Sequence, residues 1–433
     1  MSDNQATTET ATPTEGHARI GRKLVGSAIL IQLAGGALAY LSQMALARWL
    51  HAANFGVYSV IVSAATIVGL CATFGMSGLA LRLIPRRLAE GETDEAAAVA
   101  GMSLWTCLVL GSASGLVVAV IVALHMHDAA LGLASGALTL ALTLITAGGN
   151  IGRAANRPVS TMAAAVVAKP LLMICMAGAG VALAAGSSAT AGVVATATAT
   201  LAGVVIQLVA IRRSPLSAGS LALRRPTREM LRQSPAFLVV AALSLLLSQI
   251  DILAVAAALS RVDAGAYAAA SRLAAGMALV PAAVQTVYAP RIAALPIGVD
   301  PAQVTRLARS SARWSTLGSL PIAIPIIVLS HWILGLYGRE FQAATWPLIW
   351  LTVGILINTA LGPAGNVLLY RDHRRSVAWT FFATAVLNAL LSYAGARLWG
   401  LGGAGLASGF AMAVTGFLTA AVAWNRARVL AIV

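Results

Sequence analysis

Three ionisable residues stand where the surrounding sequence offers almost no water. Lys169, Asp251 and Arg272 each fall inside an apolar run long enough to be a membrane span. A charge at the centre of a bilayer costs about 2.5–3.5 kcal/mol on insertion scales, so such a residue is expected to face a cavity, a partner or a substrate. Lys169 lies ten residues into the run that opens at Val159, about 15 Å along a helix and so near the midplane. Asp251 and Arg272 lie about 12 Å and 9 Å from one and the same surface, on consecutive antiparallel runs. Those depths predict an ion pair between Asp251 and Arg272, and they leave Lys169 with nothing in its own run to neutralise it. The chemistry on offer is recognition of an anion by Lys169, helped by Arg272, with Asp251 either holding Arg272 or titrating with a coupled proton.

Amides within apolar runs form a second class of candidate. Gln43, Gln249, Asn358 and Asn366 can hydrogen-bond either a neighbouring helix or the hydroxyls of a sugar. The eight-residue spacing of Asn358 and Asn366 puts them on roughly one helix face. Other motifs lead nowhere chemically. Gly16 and Gly21 have phosphate-loop spacing, but Arg22 stands where Lys is required and no strand precedes it, so no ATP site is expected. His125-Met126-His127-Asp128 carries donor types that bind zinc, in a short loop that reads better as a solvated polar turn. Cys71, Cys107 and Cys175 each stand alone in an apolar run. Neither a metal nor a cofactor is expected.

The elements that must carry these residues follow from composition. With 59% hydrophobic and 10% charged residues, the chain departs far from soluble domains, which carry about 25% charged residues. The fold class expected is an all-α membrane protein of about twelve transmembrane helices in two six-helix lobes. A polar tail (1–23) precedes a first lobe (24–211), a basic connection (212–235), a second lobe (236–424) and a short tail (425–433). The net charge of +15 would suggest nucleic acid in a soluble protein, but here the basic residues occupy short loops between apolar runs and not one continuous face. Nucleic acid is therefore excluded as a partner.

Charge also gives orientation. Of the 29 Lys and Arg residues, 23 fall on one side of this map and four on the other, and the remaining two are Lys169 and Arg272. Cytoplasmic loops retain positive charge, so both termini are expected in the cytoplasm. The two lobes open with related wording: Leu41-Ser42-Gln43 precedes Gly56-Val57-Tyr58, and Leu247-Ser248-Gln249 precedes Gly265-Ala266-Tyr267. Six spans per lobe make this a parallel repeat about an axis along the membrane normal. Gly56 and Gly265 are expected at tight outer turns.

Several of these segments also carry a family resemblance. Tyr40 to Val60, reading YLSQMALARWLHAANFGVYSV, resembles the first-span signature of the polysaccharide-biosynthesis branch of the multidrug/oligosaccharidyl-lipid/polysaccharide exporter superfamily. Gln249-Ile250-Asp251, Gly265-Ala266-Tyr267 and Ser271-Arg272-Leu273 resemble the start of that family's second lobe. Tyr288-Ala289-Pro290 resembles the end of its eighth span, and Gly338-Arg339-Glu340-Phe341 with Gly362-Pro363 its ninth-to-tenth connection. The resemblance implies a flippase of the bacterial inner membrane that moves an undecaprenyl-diphosphate-linked oligosaccharide from the cytoplasmic to the periplasmic leaflet by alternating access. It implies membrane lipids, a polysaccharide polymerase and chain-length machinery as partners.

Two other functions compete. A cation-coupled drug exporter of the same superfamily would share the architecture, but its organic cations call for acidic cavity residues, and here the buried charges are mainly basic. A membrane glycosyltransferase or polymerase would need paired carboxylates and a sizeable extramembrane loop. The loops are short and no paired Asp/Glu motif sits in an outer loop, so an enzyme is not expected.

Overall fold

In the computed structural model the backbone is described for residues 13–155, 161, 164–182, 186–214, 216, 222–293, 295, 301–370, 374–427 and 429. The side chains of residues 13–34, Asn366 and a few others lie outside the described residues. The chain is helical throughout, with no strand among the described residues. In order the helices are α1 (Pro13–Ala72), α2 (Met76–Ala89), α3 (Thr93–Met126), α4 (Ala129–Ala154), α5 (Lys169–Ala182), α6 (Ala189–Arg212), α7 (Arg228–Gln233) and α8 (Pro235–Ala258). They continue with α9 (Arg261–Ala275), α10 (Leu279–Ala293), α11 (Pro301–Val328), α12 (Ser330–Gly335), α13 (Thr345–Ala360), α14 (Ala364–Tyr370) and α15 (Arg374–Ala427). Eight helical stretches among the described residues are long and apolar enough to cross a membrane.

Side-chain caps set several of the boundaries. Asp128 accepts from the Leu131 N–H at the start of α4, Ser188 from Ala191 at the start of α6, and Ser260 from Asp263 at the start of α9. Each satisfies one of the N–H groups that a helix start leaves without an internal partner. Inside α4 the hydroxyls of Ser135, Thr139 and Thr143 each bond the carbonyl four residues earlier. A polar face can thereby pack against α3 without a buried donor left open.

The long helices are broken at defined points. α1 kinks at His51, whose φ of 58° and ψ of 166° place a non-glycine residue in a region that costs on the order of 1–3 kcal/mol. α15 kinks at Trp399 and Gly400. A π-helical turn, Ala164–Ala168, leads into α5. Pro170 explains it: proline has no N–H to give the carbonyl four residues back, and its ring crowds that carbonyl, so the turn widens.

Gly56 and Gly265 differ from expectation. Both lie inside helices, five residues past a break, and neither is in a turn. A Cβ on Gly56 would overlap the Arg261 carbonyl oxygen, and a Cβ on Gly265 would overlap that of Ala52. Close crossing of α1 and α9 is what requires glycine at both positions.

Candidate functional site

Arg272 comes from α9 but is held by α1. Its guanidinium donates to Gln43 Oε1, and its central carbon lies 5.4 Å from the Phe55 ring centre and 5.5 Å from that of Tyr58. Gln43 precedes the His51 kink and the two aromatics follow it, so the bend in α1 folds three groups around one cation. Two aromatic faces at this range each contribute about 0.5–1 kcal/mol, and more where water is excluded.

Lys169 opens α5 directly after the π turn, half-buried, with no hydrogen-bond or ion-pair partner among the described residues. Arg272 lies within electrostatic range of it. Two cations, one from each half of the chain, therefore interact electrostatically, and among the described residues no carboxylate lies within ion-pair distance of either.

Asp251 is not the missing carboxylate. The expected ion pair with Arg272 does not form; Asp251 Oδ2 instead accepts from the Tyr267 hydroxyl at 2.9 Å and the Ser271 hydroxyl at 3.3 Å. Depth along the helices does not decide the pairing: one residue along a helix is a rotation of about 100°, which turns Ser271 to Asp251 and Arg272 away to Gln43. Asp251 is 1% exposed, and its Oδ1 has no partner.

A chain of hydroxyls leads away from Asp251. Tyr267 also contacts Ser408 at 2.6 Å, Ser408 contacts Ser392 at 2.7 Å, and Ser392 reaches Asn388 Oδ1 at 3.0 Å. Asn388 Nδ2 faces the Leu247 carbonyl at 3.4 Å, which fixes the amide's orientation. Asp251 Oδ2 thus stands at one end of a continuous run of hydroxyls that ends on Asn388.

The remaining expected residues are dispersed. Gln249 is half-buried on α8, two residues and so about 200° from Asp251, on the other side of that helix. Asn358 lines a cavity of about 320 Å³ with Gln285, Ser315 and Thr359. Asn358 and Asn366 do not share a helix: α13 ends at Ala360, Gly362 takes a φ of 82°, and α14 starts at Ala364. The Asn366 side chain lies outside the described residues. Among the described residues no group of three or more His, Cys, Asp or Glu could hold a metal, and Asp128 of the His125–Asp128 segment serves as the α4 cap.

One contact set had no place in the sequence reading. Glu340, in the 3-10 turn Arg339–Ala344, accepts from the Ala52 N–H at 2.9 Å and lies 3.4 Å from His51 Nδ1. Arg48 Nε donates to the Leu336 carbonyl, and the Phe341 ring meets Phe55 edge-on at 5.7 Å. A carboxylate far along the chain thus caps the helix that restarts at the strained His51. Histidine is no helix breaker by type, so only the structure exposes this clasp.

The architecture is shared with solved transporters. A multidrug resistance transporter of the MATE family, within the MOP superfamily and in an inward-facing conformation, aligns with a TM-score of 0.67 at 15% identity, covering 92% of this chain and 98% of its own. The lipid II flippase MurJ in an inward closed conformation aligns at 0.64 and 11% identity, covering 90% and 86%. A variant of the Vibrio cholerae MATE transporter VcmN aligns at 0.60 and 15% identity, covering 94% and 97%. At such identities the likeness is one of fold. No curated protein matches the chain in sequence. The family model for polysaccharide biosynthesis proteins matches residues 45–345, which include Lys169, Asp251 and Arg272. On that match, which spans more than half of its length, the chain belongs to the polysaccharide biosynthesis protein family, and it shares its fold with these membrane transporters.

Proposed function

We propose that the protein flips an undecaprenyl-diphosphate-linked oligosaccharide from the cytoplasmic to the periplasmic leaflet of the bacterial inner membrane, for surface polysaccharide biosynthesis. The observation that carries this reading is the pair of cations, Lys169 and Arg272, with no acidic partner among the described residues. Two positive charges held together in a low-dielectric setting repel one another and are stabilised by a divalent anionic group such as a diphosphate. The family supports polysaccharide biosynthesis as the setting, and MurJ, described as a lipid II flippase, shares the fold.

The working unit in this reading is twelve passes in two lobes. Splitting two of the eight stretches at the His51 and Trp399 kinks makes ten passes, and α5 and α11 are the two further helices that bring the number to twelve. The reciprocal Gly56 and Gly265 crossing supports a parallel repeat, as do the paired contacts Thr196 to Tyr58 in one half and Tyr267 to Ser408 in the other. The Glu340 clasp holds the lobes at the end that charge counting assigns to the periplasm. The cargo then enters from the cytoplasmic side, its diphosphate meets Lys169 and Arg272, and its sugars reach amides such as Asn358, Gln285 and Gln249. Uptake or loss of the proton on Asp251 biases the two states, through Ser271 beside Arg272.

Cation-coupled drug export is the second reading, favoured by the likeness to multidrug transporters. Organic cations would be repelled by Lys169 and Arg272. Deleting the gene decides between the two: loss of surface glycan with lipid-linked repeat units accumulating in the cytoplasmic leaflet supports the flippase. Intact glycan with raised drug sensitivity supports the exporter.

A further inference from the structure

A groove of about 510 Å³ opens between α8 and the first part of α15. Its walls are Leu238, Ala242 and Leu243 on one helix and Trp379 and Phe382 on the other, with Arg375 as the polar group at its end. Trp379 is 71% exposed and Phe382 46%, so these rings have no protein cover. Further along the same two helices, Asn388 reaches the Leu247 carbonyl and closes the gap. The helices are therefore tied at Leu247 and Asn388 and parted nearer their N-terminal ends, the end that charge counting assigns to the cytoplasm.

We propose that this groove holds one anionic phospholipid of the cytoplasmic leaflet, its phosphate on Arg375 and an acyl chain between α8 and α15. Charge selects the headgroup. Arg375 has no acidic partner among the described residues, and in the sequence it belongs to a basic run with Arg371 and Arg374, while Arg228 and Arg232 precede α8. Guanidinium groups at the cytoplasmic surface favour anionic lipids. Length suits the chain: from Arg375 to Phe382 the wall runs about 10 Å, most of the roughly 15 Å of one leaflet's hydrocarbon.

The occupant is not the transported lipid. Thirteen residues separate Arg375 from Asn388, and four more separate Leu247 from Asp251, whose partner Ser271 adjoins Arg272. That is about 25 Å along the helices, so one diphosphate does not serve both arginines. The groove instead lies on the two helices that carry Asp251, Asn388 and Ser392. A lipid filling it holds them apart below the hydrogen-bonded chain.

Native mass spectrometry of the purified full chain tests this, with dioleoyl phosphatidylglycerol or dioleoyl phosphatidylcholine added in neutral detergent. The wild type should retain one phosphatidylglycerol in preference to phosphatidylcholine. Arg375→Ala should lower that preference about fivefold, Arg375→Lys should keep most of it, and Ala242→Phe should displace the lipid by filling the groove. Equal retention of both lipids by the wild type, or an unchanged preference in Arg375→Ala, would overturn the proposal. Displacement of phosphatidylglycerol by an equal amount of polyprenyl phosphate would overturn it as well. The readout involves no transport, so it stands or falls apart from the flippase reading.

Discussion

Gly56 and Gly265 each face the backbone four residues before the other: Gly56 meets Arg261, and Gly265 meets Ala52. This reciprocity is what a two-fold relation between α1 and α9 produces at the point where they cross.

Replacing either glycine by valine should destabilise the protein by about 1–3 kcal/mol or more, because the obstacle is backbone and not a side chain that can rotate. Thermal unfolding of detergent-purified variants checks this. A variant at Gly178 in α5, where a Cβ meets nothing within 4 Å and φ is not positive, is the control for crowding.

The clasp at Glu340 should behave as a helix cap made by a distant segment. Glu340→Gln keeps an acceptor for the Ala52 N–H and should lose little stability, whereas Glu340→Ala leaves that N–H and the strained His51 unsupported. The expected loss is about 1–3 kcal/mol for the alanine variant, read as a lower melting temperature.

The hydrogen bonds around Asp251 predict that Asp251→Asn folds normally, since the amide oxygen can accept from the Tyr267 and Ser271 hydroxyls as Oδ2 does. In vesicles its transport should no longer respond to a pH gradient. Tyr267→Phe interrupts the chain between Asp251 and Ser408 and should lower stability as well as transport.

Asp128 gives a pH dependence outside the membrane. The Leu131 N–H, then the Thr190 hydroxyl, hold its carboxyl below the usual carboxylate range. A carboxylate depressed in the folded state stabilises it above the ordinary value of about 4, and that contribution is lost as pH falls through the depressed value. The melting temperature of the wild type should therefore fall with acidification through that window, and Asp128→Asn should flatten the fall.

The helical membrane architecture was legible from apolar run length, and the unusual residues were legible as charges in those runs. Pairing was not. Depth along a helix constrains one coordinate, and the azimuth that sends Arg272 to Gln43 and Ser271 to Asp251 depends on how α9 is rotated against α1 and α8. Tyr58 and Tyr267 were visible only as repeat markers. Their roles, a ring over Arg272 and a hydroxyl on Asp251, follow from packing that no single segment encodes. The division between Asn358 and Asn366 could have been read from Gly362-Pro363, a pair that seldom continues a helix.

The central claim is that Lys169 and Arg272 together recognise a lipid diphosphate. Its most direct measurement is flipping of a fluorescent polyprenyl-diphosphate oligosaccharide by purified protein in vesicles, with an organic cation as the alternative cargo. The account predicts movement of the diphosphate lipid and not of the cation, a loss of at least about tenfold in Lys169→Ala and Arg272→Ala, and partial activity in Lys169→Arg, where charge is kept but geometry changes. Unchanged flipping in both alanine variants, or transport of the organic cation in preference to the lipid, would contradict it.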